Sequence, residues 1–135
     1  MELKEQKFGI EIEMTGITRA KAAEVTAGYF GTRVKYLGTY YDTYAAIDTE
    51  GRQWKFMSDS SITAQQKLNG RKISAGREYQ TEMVSPICRY EDIVTIQEII
   101  RKLKEYGALT NGSCGIHVHI NAEPFDARTL RNITN

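Results

Sequence analysis

Three short stretches of this chain alternate with period two, and each gathers polar ligand-type groups on one side and apolar groups on the other. The clearest is Cys114-Gly115-Ile116-His117-Val118-His119-Ile120-Asn121. In an extended strand, successive side chains point to opposite faces. Ile116, Val118 and Ile120 then share one side, and His117, His119 and Asn121 the other. The chain has two histidines, and this pattern puts both on one face, about 7 Å apart along the strand. The plain reading is an edge strand with a wet face. The sharper reading is a pair of metal or phosphate ligands.

Carboxylates follow the same rule elsewhere. In Phe8-Gly9-Ile10-Glu11-Ile12-Glu13-Met14, the residues Phe8, Ile10, Ile12 and Met14 oppose Gly9, Glu11 and Glu13. In Glu78-Tyr79-Gln80-Thr81-Glu82-Met83-Val84, the side carrying Glu78, Gln80 and Glu82 opposes Tyr79, Thr81 and Met83. If the three strands share a sheet, their polar sides form one surface. Like charges crowded there repel, and a divalent cation removes that cost. The pattern therefore asks for metal.

The rest of the sequence sets bounds. A length of 135 residues suits one domain with a real core, expected to span 1–135. A formal net charge of +1 without a basic stripe argues against nucleic acid as a partner. No run approaches the length of a membrane span. Met1-Glu2-Leu3-Lys4-Glu5 has no apolar signal-peptide core. Cys88 and Cys114 make neither a disulfide framework nor a metal spacing. A reducing, cytoplasmic setting is expected.

Taken in order, strands are expected at 7–15, 44–48, 53–58, 78–85 and 114–121, with a further short one at 34–37. A helix is expected over 19–30, with Thr18 as N-cap, Gly31 as the stop, and Ala20, Ala23, Ala27 and Phe30 near one face. Tyr40, Tyr41 and Tyr44 read as strand filling, or else as a substrate-facing rim. Thr49-Glu50-Gly51-Arg52 marks a hairpin in which Gly51 needs a positive φ. Asp59 reads as an Asx-turn residue rather than a ligand. Residues 63–77 show no clean period and read as a polar loop carrying four basic residues, with a phosphate-facing lid as the alternative. The strongest helix runs over 91–106, where Ile93, Ile96, Ile99, Ile100, Leu103 and Tyr106 recur at helical spacing. A last helix begins after Pro124 and is still periodic at 133. This is expected to be the start of a longer unit, so the chain reads as truncated at its C-terminal end.

These motifs resemble the amidoligase family, a branch of the carboxylate–amine ligase superfamily that includes glutamine synthetase. The resemblance rests on Phe8-Gly9-Ile10-Glu11-Ile12-Glu13, then Glu82-Met83-Val84-Ser85-Pro86, then Cys114-Gly115-Ile116-His117-Val118-His119. Trp54 to Ile62 resembles the family's Trp…Asp-Gly-Ser segment, with Ser60 in place of the glycine. The resemblance implies an α+β fold: a curved, mostly antiparallel, glutamine synthetase-like sheet, with helices on one face and ATP and divalent cations on the other. It implies that Glu11, Glu13, Glu82 and His117 hold Mg2+ or Mn2+. His119 is expected at the transferred phosphate as the catalytic donor, with Gln80 beside it on the cofactor. The family's phosphate-binding arginines would follow Asn135, so the chain corresponds to the N-terminal part of such a catalytic domain. Substrates would be a small-molecule or peptide carboxylate and an amine.

The chemistry agrees with the residue types. An amide cannot form directly from a carboxylate, whose oxygen is a poor leaving group. ATP converts it to an acyl phosphate, and phosphoryl transfer needs positioning and charge neutralisation. Hard carboxylate oxygens suit Mg2+, and one imidazole among them is tolerated by Mn2+. Cys114 and His117 fall on opposite strand faces, so a Cys/His nucleophile is not expected. His117-x-His119 followed by Glu123 also fits a cupin motif, although a third histidine is missing. A metal- or nucleotide-binding fragment without catalysis is a further alternative.

Overall fold

The computed structural model describes residues 5–121. Its elements are β1 (Lys7–Met14), α1 (Arg19–Phe30), β2 (Val34–Gly38), β3 (Thr43–Ile47), β4 (Gln53–Met57), β5 (Gln65–Leu68), β6 (Arg71–Ser74), β7 (Thr81–Val84), α2 (Ile93–Glu105) and β8 (Ile116–Asn121). Six strands form one open sheet in the order β2-β3-β4-β7-β1-β8, and every pairing is antiparallel. The α+β class and the antiparallel sheet are as expected. A closed or double-sheet cupin is not what forms, and Glu123 and the helix expected after Pro124 lie outside the described residues.

The middle of the sheet explains the site. β7 and β8 both pair with β1, one on each side, so they run parallel to each other with β1 between them. Their connection must cross β1, and α2 makes that crossing. Ile96, Ile99 and Leu103 of α2 join Ile12 and Met14 of β1 in the core. α1 packs beside α2, over β3 and β4, and brings Ala22, Ala23 and Ala27 to the same core. Small side chains let this helix approach the sheet closely. Trp54 and Phe56 fill the space beneath it and are fully buried. Each adds about 1.5–3 kcal/mol by burial. With both helices on the apolar face, the opposite face of β1, β7 and β8 keeps its polar side chains.

Local chemistry places most ends where the sequence does. The Thr18 hydroxyl accepts from Lys21 N at 3.2 Å, and Gly31 closes α1 at φ 72°. The buried face of α1 is Arg19, Ala22, Ala23, Thr26 and Ala27. Ala20 is exposed rather than packed, a rotation from the expected face. At the far end of β1, Gly16 and Gly107 lie back to back. A Cβ on Gly16 would sit 2.3 Å from Gly107 O, and one on Gly107 2.9 Å from Gly16 O. Their positive φ values, 81° and 112°, and missing side chains let the end of α2 dock against the sheet.

Two expectations are corrected. Residues 63–77 are not a structureless loop: β5 and β6 form a hairpin around Asn69 and Gly70, at φ 52° and 77°. An Asn-Gly pair in the left-handed region is the signature of a tight hairpin turn. The strand expected over 78–85 begins only at Thr81, because Arg77–Tyr79 form a 3-10 turn. The reason is Arg19. Its buried guanidinium donates to Arg77 O at 2.9 Å and Gln80 O at 2.7 Å, so these carbonyls are satisfied by a side chain instead of a strand neighbour.

Candidate metal centre on the open sheet face

Register brings the acidic residues together. Glu13 lies opposite Glu82 in the β1–β7 ladder, and Glu11 lies opposite His117 in the β1–β8 ladder. Because side chains alternate, all four share the face away from the helices. The segment after β4 then delivers a further carboxylate. Asp59 makes a tight turn in which its Oδ1 accepts from Ser61 N at 2.9 Å and Ser61 Oγ at 2.7 Å. Carboxylate oxygens of Glu13, Asp59 and Glu82 all lie within 4.8 Å of one another.

Glu13 is held in place by backbone. Its Oε1 accepts from Gly115 N at 2.7 Å, while Glu13 N donates to Gly115 O at 3.0 Å. A Cβ on Gly115 would stand in ordinary contact with Glu13 Oε1 at 3.4 Å and His117 Nε2 at 3.5 Å. Asp59 is fixed through Gln80: Gln80 Nε2 donates to Ile62 O at 3.0 Å, and Ile62 N donates to Asp59 O at 3.1 Å. Gln80, expected on the cofactor, thus holds the Asp59 turn in this structure. Its Oε1 is buried and has no hydrogen-bond partner among the described residues.

The charges in this group are strained. Burial and the neighbouring Glu11, Asp59 and Glu13 carboxylates push Glu82 up to about 7. Glu13 is raised as well, by burial first and then by its hydrogen bond to Asp59. Burial alone would also raise Asp59, but the Ser61 hydroxyl and amide, the Glu13 hydrogen bond and His117 together hold it below its usual range. The two carboxyls are thus driven apart, Glu13 upward and Asp59 downward. The raised carboxyls mark a repulsion that a cation can relieve.

Of the expected site residues, the structure groups Glu13 and Glu82 with Asp59. Glu11 and His117 stand on the same face beside this group. His119 Nε2 lies 3.5 Å from Glu11 Oε1, at an exposed position. Asp59 is the residue that local reading missed, since an Asx turn explained it fully. The usable signal was its place in the Trp54–Ile62 segment.

The donor set fits a hard divalent cation: three carboxylates converge from three separate segments. Their ligand atoms all lie within 4.8 Å of one another, close enough to converge on one ion. A family model described as "putative amidoligase enzyme" matches residues 4–135, and the chain belongs to that family. The family places it with amide-forming ligases acting on small molecules. No curated protein and no solved structure matches the chain. No described helix is long and apolar enough to cross a membrane.

Proposed function

We propose that the chain supplies the metal-holding part of an ATP-dependent carboxylate–amine ligase that works through an acyl phosphate, on the glutamine synthetase-like fold. The observation that carries this reading is the convergence of Glu13, Asp59 and Glu82 with two of the three carboxyls raised. A bound Mg2+ or Mn2+ would neutralise phosphate oxygens and so favour phosphoryl transfer. Glu13, Asp59 and Glu82 would hold it, with His117 and Glu11 completing the set. The Gly115 amide keeps the Glu13 oxygen aimed, which lowers the cost of ordering the site.

In the reaction, a substrate carboxylate oxygen attacks the γ-phosphorus of ATP, forming an acyl phosphate and releasing ADP. The amine nitrogen then attacks the acyl carbon. The C–N bond forms, the C–O bond to phosphate breaks, phosphate leaves with the electron pair, and the nitrogen loses a proton. His119, exposed beside Glu11, would donate to a phosphate oxygen.

The test is a thermal-unfolding titration with Mg2+ and Mn2+. Wild type gains stability, because a ligand that binds only the folded state stabilises it, and Glu13→Gln and Glu82→Gln each abolish the gain. ADP release with ATP and candidate substrates is followed separately. A wild type unmoved by millimolar metal would sink the metal assignment.

A further inference from the structure

A cavity of about 440 Å3 opens directly off the carboxylate group. Asp59 and Glu82 line it together with Tyr40, Tyr41, Met57 and Arg77. The Arg77 guanidinium makes no hydrogen bond or ion pair among the described residues. Tyr40 is 95% exposed and Tyr41 51%, and the rings meet edge to face at 5.4 Å. Two tyrosines this exposed contribute little to the core, so their placement calls for another explanation.

That placement is built. Thr39 and Asp42 both adopt positive φ, 62° and 50°, a backbone conformation that side-chain-bearing residues rarely take. Asp42 is clamped by Arg19 Nη2 at 3.0 Å and by the Tyr36 hydroxyl at 2.7 Å. The same Arg19 guanidinium binds Arg77 O and Gln80 O. One buried side chain thus locks the tyrosine turn to the segment carrying Arg77, and both segments line the cavity. Its lining carries both signs of charge, acidic at Asp59 and Glu82 and cationic at Arg77, together with the two tyrosines.

We infer that this cavity is the subsite for the amine substrate, an amino acid or short peptide whose free carboxylate is held by Arg77 while its amine faces Asp59 and Glu82. The inference rests on the ligase reading above. Arg suits the task, because its planar fork binds a carboxylate through two parallel hydrogen bonds. Tyr40 and Tyr41 cover the backbone of the bound molecule at low cost in side-chain entropy.

The probes are L-alanyl-L-alanine and its C-terminal amide, titrated into the whole chain with amide shifts followed by NMR. The free acid should bind about tenfold tighter than the amide, the scale of one charge-assisted contact. Shifts should centre on residues 40, 41, 58–60 and 77. Arg77→Ala should reduce the preference to less than about twofold, and Arg77→Lys should restore part of it. Arg77 is exposed and only its carbonyl serves the Arg19 clamp, so both variants should fold. Equal binding of the two probes, shifts elsewhere, or no binding at tens of millimolar overturns the inference. Mn2+ binding is measured in parallel. Intact Mn2+ binding without the preference sinks the subsite alone, whereas the preference without Mn2+ binding sinks the metal reading and leaves the subsite standing.

Discussion

Two groups of three carboxylates among the described residues are resolved in opposite ways. In the first, Asp48, Glu50 and Asp92 surround Arg52, whose Nε lies 2.8 Å from Asp48 and whose Nη2 lies 3.0 Å from Asp92. Asp48 is buried, and also accepts from Trp54 Nε1 at 3.0 Å and from the Glu50 and Arg52 amides at 2.9 Å. Burial alone would raise it, but these donors hold it below the usual aspartate range. Arg52 holds Asp92 low as well. In the second group, Glu13, Asp59 and Glu82 pair with no arginine or lysine among the described residues, and two of the three are raised. A carboxylate cluster that carries its own arginine is finished structure. One whose carboxyls are held above their usual range has a place for a positive charge, and that difference separates a scaffold from a site.

The largest expected effect breaks the first group. Arg52→Met leaves Asp48 and Asp92 without their cation and should destabilise the fold by about 3–5 kcal/mol, read from urea unfolding. The sign with pH follows. Asp48 and Asp92 have lowered folded-state values, so their stabilisation is present above the unfolded value and is lost as pH falls through the folded one. Wild type should show that acid loss and Arg52→Met much less of it. A variant as stable as wild type would show that the arginine does not finish this group.

The second group should respond the other way. Glu82 is raised to about 7, so the metal-free fold is penalised progressively from the unfolded value up to about 7, and fully above it. Glu82→Gln should therefore stabilise the metal-free protein near pH 8 by about 1–2 kcal/mol, allowing for solvent screening, and leave it unchanged near pH 4. The same variant should lose the metal-induced rise in Tm. Destabilisation near pH 8 would mean that Glu82 is finished structure like Asp48. A smaller effect sharpens the contrast: Asp59→Asn keeps the Oδ1 acceptor for Ser61, so metal-free stability should move by less than about 1 kcal/mol, while the metal response disappears.

The two groups were not equally legible in the sequence. Thr18, Gly31 and the period-two pattern of β1 encode their structure locally, and the structure follows them. The polar face was legible for the same reason, since Glu11, Glu13, Glu82 and His117 each obey strand alternation. Asp59 was not, because one carboxylate oxygen makes its turn while the residue also faces Glu13 and Glu82, and the turn exhausts the local signal. The β5–β6 hairpin was hidden because it has no buried side: Leu68 and Ile73 are 57% and 37% exposed, so no hydrophobic period marks it. The Asn69-Gly70 turn was its available sign. Residues 78–80 depart from strand because of Arg19, nearly sixty residues earlier, which no local pattern can report.

The smallest expected effect concerns His119, and it tests whether the polar face is one site or two. Its ring is 62% exposed and lies 3.5 Å from Glu11, itself 34% exposed. An ion pair so exposed contributes under about 0.5 kcal/mol, so His119→Ala should leave unfolding nearly unchanged. His117 stands closer to the carboxylates: its Nε2 shares the space above Gly115 with Glu13 Oε1, and its charge bears on both Glu13 and Asp59. His117→Ala should therefore weaken Mn2+ binding, while His119→Ala leaves it close to wild type. If His119 serves the phosphate, its loss should slow ADP release by roughly 10²–10³, the scale of one preorganised donor. Calorimetry with Mn2+ and a separate ADP assay distinguish these outcomes. Metal lost in His119→Ala and kept in His117→Ala would exchange the two roles. An unchanged ADP rate in His119→Ala would reduce the outer half of β8 to a solvated edge strand, leaving the chemistry with the three carboxylates alone.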